Sequence, residues 1–153
     1  MRQILGALAA VLALVLAFFL AAPAPSAGAG TNLHRVAIQV SDDNPEHMNL
    51  ALNNAANMSV YYTGLGQDVQ VEIVAYGPGL NMLLADTSPV KARLKSFAEG
   101  MPNVKFDACN NTLEHMEKQA GKKLALVPEA HLVPSGVVRL VTLEEQGWSY
   151  IKE

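Results

Sequence analysis

The chain has 153 residues, 50% of them hydrophobic, with 11 basic and 14 acidic side chains. No basic cluster follows the amino-terminal segment, which excludes a nucleic-acid surface or an electrostatic membrane patch, and no run beyond Ala22 is apolar for long enough to belong to a polytopic membrane protein. Residues 30–153 carry 10 basic against 14 acidic side chains, a net charge of −4 over 124 residues, enough for one domain with a real core and too few for two.

Arg2 is the only charge before an apolar run from Ile4 to Ala22, and a Pro/Ala/Ser/Gly stretch from Pro23 to Gly30 follows. A positive start, a hydrophobic segment and small-residue cleavage options such as Ala27-Gly28-Ala29 make residues 1–29 a signal peptide or an N-terminal membrane anchor. The run of 19 residues exceeds an ordinary signal peptide's and approaches the ~20 of a spanning helix. Both forms export residues 30–153 to the bacterial periplasm or another extracytoplasmic space. The retained form anchors them to the inner membrane through residues 4–22, N-terminus inside.

The exported part alternates between strand and helix patterns. Val36, Ile38 and Val40 share one face of a strand over Arg35–Val40. Asn44 is an N-cap, with Pro45 at the first helical position and Glu46 in the first turn. Met48, Ala51, Leu52, Ala55 and Tyr62 keep helical spacing until Gly64 offers a stop. Val69, Val71, Ile73 and Ala75 alternate with Gln70 and Glu72, which predicts a second strand over Val69–Tyr76. Gly77-Pro78-Gly79 breaks the chain before a short apolar helix over Leu80–Ala85. Ser88-Pro89 restarts a helix in which Val90, Leu94 and Phe97 align, ending near Gly100. Val104–Ala108 is a third strand, and Asn110 or Asn111 caps a helix to Ala120 that Gly121 stops. Lys122–Glu129 reads as a loop or one short turn. Ala130–Val133 is a fourth strand. Ser135 caps a helix of Val137, Val138, Leu140, Val141 and Leu143 that Gly147 ends, and Trp148–Ile151 is a fifth strand. Strands separated by helices imply right-handed crossovers and a mostly parallel sheet covered on both faces, a small doubly wound α/β domain.

Ligands of such sheets bind beyond the carboxyl ends of the strands. Ser41-Asp42, Gly77-Pro78-Gly79, Cys109-Asn110-Asn111-Thr112 and Pro134-Ser135-Gly136 each follow a strand, so all four are expected on one rim. Cys109, the sole cysteine, has no partner for an internal disulfide or a dithiol cycle. At a strand-to-helix junction its sulfur meets amide N–H groups and the positive end of a helix, which favours the thiolate; the competing reading is a small buried hydrophobe. Arg139, the only charge among Val137, Val138, Leu140 and Val141, either points at the rim to hold an anion or thiolate or covers apolar surface with its stem. Asn49, Asn53 and Asn57 stand four apart on the first helix, as ligand or loop contacts or as a solvated face. Gly77-Pro78-Gly79 aims amides at an anion or is a plain tight turn, and lacks the length and lysine of a P-loop. His34, His47, His115 and His131 have no metal-ligand spacing, and no Gly-x-Ser-x-Gly elbow is present, so neither a metal site nor a serine hydrolase is expected.

Several segments together resemble the exported, single-domain branch of the DsrE/DsrF-like family. They are His34-Arg35-Val36 through Val40-Ser41-Asp42, Asn49 to Asn57, and Val74-Ala75-Tyr76-Gly77-Pro78-Gly79-Leu80. Ala108-Cys109-Asn110-Asn111-Thr112, Pro134 to Leu140 and Gln146 to Ile151 complete the set, which covers nearly all of residues 34–151 in order. The resemblance implies a three-layer α/β fold with a five-stranded parallel sheet of flavodoxin-like topology, assembled into small oligomers. In the sulfur-relay members a rim cysteine carries sulfur as a persulfide between partner proteins, and Cys109 matches that position. On this reading Cys109 is the nucleophile and Asn110, Asn111 and Thr112 stabilise its anion. Arg139, Gly77, Pro78, Gly79, Ser135 and Gly136, with Asn53 and Asn57, are candidates for holding the incoming group. A homo-oligomer, sulfur donor and acceptor proteins and no cofactor are expected. The alternative is a non-enzymatic exported module for assembly or binding with a structural cysteine; a flavin or nucleotide binder rests on fold analogy alone.

Overall fold

The computed structural model describes residues 32–153, so the expected signal peptide or anchor lies outside the described residues. Among those described, no helix is long and apolar enough to cross a membrane. In chain order the elements are β1 Leu33–Val40, α1 Pro45–Gly64, β2 Asp68–Ala75, a 3₁₀ helix Gly77–Leu83 and α2 Lys91–Gly100. Then come β3 Val104–Cys109, α3 Asn110–Ala120, β4 Ala130–Val133, α4 Gly136–Glu145 and β5 Ser149–Lys152. The five strands form one sheet in the order β4-β3-β2-β1-β5, and every neighbouring pair is parallel.

This order fixes which face each helix covers. The chain steps in one direction from β1 to β4, so right-handed crossovers put α1, the 3₁₀ helix, α2 and α3 on one face. From β4 it returns past three strands to the far edge, which sends α4 to the opposite face. The core follows suit. A large cluster gathers Ile38, Val40, Ile73 and Phe106 of the sheet with Met48, Leu52, Leu94 and Phe97 of the helices. The second cluster is Ala37, Val74, Leu140 and Leu143 alone, with Tyr76 and Trp148 packed against it. Register strengthens the first cluster, since Ile38, Ile73, Phe106 and Ala130 lie opposite one another across four strands. Both faces are therefore covered, unequally. The flavodoxin-like part of the expectation is corrected, because that topology orders its strands 2-1-3-4-5. Here the last strand, not the second, lies beyond β1.

Most local signals act as their chemistry directs. Asn44 Oδ1 accepts the Glu46 N–H at 2.9 Å with Pro45 in the first turn. The α1 helix runs through Gly64, and the left-handed residue that turns the chain is Gly66 (φ +67°). After β2, Gly77 takes φ +55° and the 3₁₀ helix begins there rather than at Leu80. Its tight path depends on Gly79, where a Cβ would stand 2.4 Å from the Val40 carbonyl oxygen. Lys122–Glu129 is a loop, as expected, and is tied down at one point. Leu84 and Leu126 form an antiparallel bridge, Ala85 N–H donates to Ala125 O at 2.8 Å and Val127 N–H to Leu83 O at 2.9 Å, burying Val127.

Candidate active site at the β3–β4 crevice

Because all strands are parallel, the four segments singled out in the sequence do share one rim. The connection after β3 leaves toward one face and that after β4 toward the other, so the topological switch point lies between these two strands. Cys109 ends β3 and Pro134-Ser135-Gly136 follows β4, and the Asn111 N–H joins the two by donating to Pro134 O at 3.3 Å.

Cys109 is itself the N-cap of α3, with φ −71° and ψ 114°, where Asn110 or Asn111 was expected. The Asn110 side chain instead donates to Glu114 Oε1 at 2.8 Å. An N-cap side chain faces the amides of the first turn, so β3 and α3 aim the sulfur at the N–H groups of Asn111 and Thr112. The N–H of Gly136, opening α4, approaches from the other side. Burial pushes the thiol pKa up, but the Thr112 hydroxyl and the amides of Gly136, Thr112 and Asn111 outweigh it and hold the pKa below its ordinary value. The cap side chain completes no hydrogen bond in this geometry; what the two helix ends supply is an oriented positive field. Thr112 is held for the task, since its Oγ1 accepts the Gly77 N–H at 3.0 Å, leaving the hydroxyl proton for the sulfur. Gly136 admits α4 so close that a Cβ there would lie 2.9 Å from Tyr76 Cβ and 3.3 Å from Cys109 Cβ. Cys109 is 4% exposed, so the residue is almost enclosed.

The other candidates divide. Arg139 is not at the rim: its fork grips Glu72 through bonds of 2.6–2.8 Å and reaches Asp107 at 3.3 Å. It thereby ties α4 to β2 and β3. Asp107, buried beside Glu72, has its pKa raised from 3.8 to about 7; burial and the Glu72 carboxyl drive the rise, against which Arg139 pulls. These two carboxylates were missed in the sequence. The signal lay in a charge between Phe106 and Ala108 in a strand buried on both sides, which demands a cation, and Arg139 is the cation its own helix leaves over.

Asn53 also leaves the rim, about 12 Å along α1 from Pro45 at 1.5 Å per residue. It accepts Arg93 Nη2 at 2.9 Å, while Asn49 accepts Arg93 Nη1 at 2.6 Å, so the asparagine row pins α2 to α1. Asn57 lies a further turn away, exposed. Gly77 spends its N–H on Thr112 and Pro78 has none, so this turn clamps Thr112 rather than cradling an anion. Ser135 is the N-cap of α4 without a side-chain cap bond.

Beside Thr112 opens a cleft of about 970 Å³ between the 3₁₀ segment and α3. Gly77, Pro78, Leu84 and Leu124 form one wall, and Asn111, Thr112, His115, Met116, Gln119 and Ala120 the other. Thr112 belongs to both the cleft and the sulfur's surroundings, so the cleft ends one residue contact away from Cys109.

No family model matches the chain, and no curated protein does. Among solved structures it is similar to the protein of unknown function MTH1491 from Methanobacterium thermoautotrophicum. The two share 28% identity over 78% of this chain and 99% of that one, with a TM-score of 0.66.

Proposed function

We propose that the domain is an exported, DsrE-like sulfur carrier that uses Cys109 as its persulfide site. The observation that carries this reading is the convergence of two helix N-termini and the Thr112 hydroxyl on the one cysteine, at the sheet's switch point. The Cys109 thiolate attacks the outer sulfur of a donor R–S–SH, forming a new S–S bond while the donor's S–S bond breaks and R–S⁻ departs. An acceptor thiolate then attacks the outer sulfur of the Cys109 persulfide, taking it and returning the Cys109 thiolate. No external oxidant or reductant is consumed. The same donors that lower the thiol pKa stabilise the anion at the start and end of the cycle. Donor and acceptor are partner thiols, and the leader delivers the domain across the membrane.

The test is pH-dependent alkylation read by intact mass, before and after polysulfide exposure of the native chain. A thiol that labels below its ordinary pKa and gains about 32 Da, one sulfur atom, supports the carrier. Cys109→Ser should lose that adduct with the fold unchanged. A thiol silent until denaturant is added, or loading that persists in Cys109→Ser, overturns it.

A second reading, assembly, has its own observation. The outer face of α4 exposes Val137, Val138 and Val141 at 49–59%, and Tyr150 of β5 is exposed on the same face of the sheet. An apolar strip of this kind marks a contact surface, and we assign it to a second copy of the chain.

A further inference from the structure

The α3 wall of the cleft carries a row the carrier chemistry does not use. Asn111, His115 and Gln119 stand four apart, exposed and in the cleft lining, with Met116 and Ala120 beside them. Among the described residues their side chains make no hydrogen bond, whereas Asn81 across the cleft is already bonded to Asp43 at 2.6 Å. Residues four apart on a helix are spaced about 6 Å along its axis. An extended peptide repeats its same-side groups about every 6.6 Å. The row can thus meet successive backbone groups of an extended chain with an amide, an imidazole and an amide, while Met116, Leu84, Leu124 and Pro78 offer apolar contact. The first member of the row adjoins Thr112, and the last lies two turns away. Among the described residues no lysine or arginine lines the cleft and Asp43 is its single carboxylate, which disfavours a small sulfur anion or an acidic chain.

We propose that this cleft binds a short, uncharged peptidic persulfide of three or four residues in extended form, its sulfur end at Thr112 beside Cys109. The inference rests on the carrier reading for its chemistry but not for its binding. The probe is a capped tripeptide of two alanines and an S-methylated cysteine, which binds without reacting. It is titrated into the full chain in mild detergent and followed by calorimetry and by NMR of α3 amides. Saturable binding that His115→Ala combined with Gln119→Ala weakens about tenfold or more, the loss of two hydrogen bonds, supports the cleft; both residues are exposed, so the fold tolerates the change. Unchanged affinity in that double variant, or no binding while thiosulfate still loads Cys109, overturns it and leaves the carrier standing. Binding with a Cys109 that never loads supports the cleft and removes the carrier reading instead.

Discussion

At the scale of single residues, the reactivity assigned to Cys109 is a balance that two neighbours control. Burial alone makes the thiolate harder to form, and the donors around the sulfur reverse that. Thr112 contributes a hydroxyl whose orientation the Gly77 N–H fixes. Thr112→Val removes the donor with little change of volume, so the thiol pKa should rise and alkylation at pH 7 should slow, while Thr112→Ser should restore both. Gly136 acts by having no side chain. An alanine there must displace Tyr76 or push the start of α4 outward, an overpacking cost of roughly 1–3 kcal/mol. The displaced amide then stabilises the thiolate less, so Gly136→Ala should raise the thiol pKa and lower the unfolding midpoint together. A thiol pKa unmoved in both Thr112→Val and Gly136→Ala would mean that the two helix ends do not set the reactivity. The alkylation profile and denaturant unfolding of the same samples separate the two effects.

The element on which the site depends most is α4, and an ion pair rather than a deep core attaches it. Only Leu140 and Leu143 enter the second cluster, while Arg139 spans to Glu72 and Asp107. Asp107 keeps its proton up to about pH 7 in the folded chain but loses it near 3.8 when unfolded. Between those values the folded state binds more protons, so stability falls as pH rises from about 4 to about 7 and then levels. Asp107→Asn, which mimics the protonated acid, should flatten that fall and leave the variant at least as stable as the parent at pH 8. Urea midpoints across pH 4–8 check it; an equal slope in both chains would refute the assignment. The same element shows what the sequence could tell. Strand and helix periods were legible because β1, β2, α1 and α2 each present a regular apolar face to one large core. The rim was legible because parallel strands end together. Arg139 was misplaced because its partners lie 67 and 32 residues away, a distance no local pattern spans. The stop at Gly64, the short helix and the Lys122–Glu129 loop were legible, but their finer detail was not: left-handed Gly66, the Gly79–Val40 approach that starts the helix at Gly77, and the Leu84–Leu126 bridge are set by tertiary packing.

On the scale of the whole molecule, the sheet is lopsided. Among the described residues, one face carries three helices and a 3₁₀ segment, the other a single helix of 10 residues. Stable single domains bury both faces of a parallel sheet, so a thinly covered face whose helix exposes Val137, Val138 and Val141 ahead of Glu144 and Glu145 calls for a further layer. A second copy supplies it without a new partner, and α4 would then be held from outside as well as by Arg139. The expected state is a homo-oligomer whose contact runs along Val137, Val138 and Val141, with Tyr150 at its margin. A specific contact of ordinary size buries roughly 800 Å² per partner, more than these side chains alone offer, so neighbouring polar surface must join it. Val138→Glu with Val141→Glu would place unpaired carboxylates in that contact at a cost of several kcal/mol. Each side chain already faces solvent in the single chain, so the fold should persist. Sedimentation equilibrium should show the parent associated and the double variant dissociating at concentrations at least about tenfold higher, with unchanged circular dichroism. If both chains sediment as monomers, the face is left for a different protein. If both stay associated to the same extent, the copies meet elsewhere.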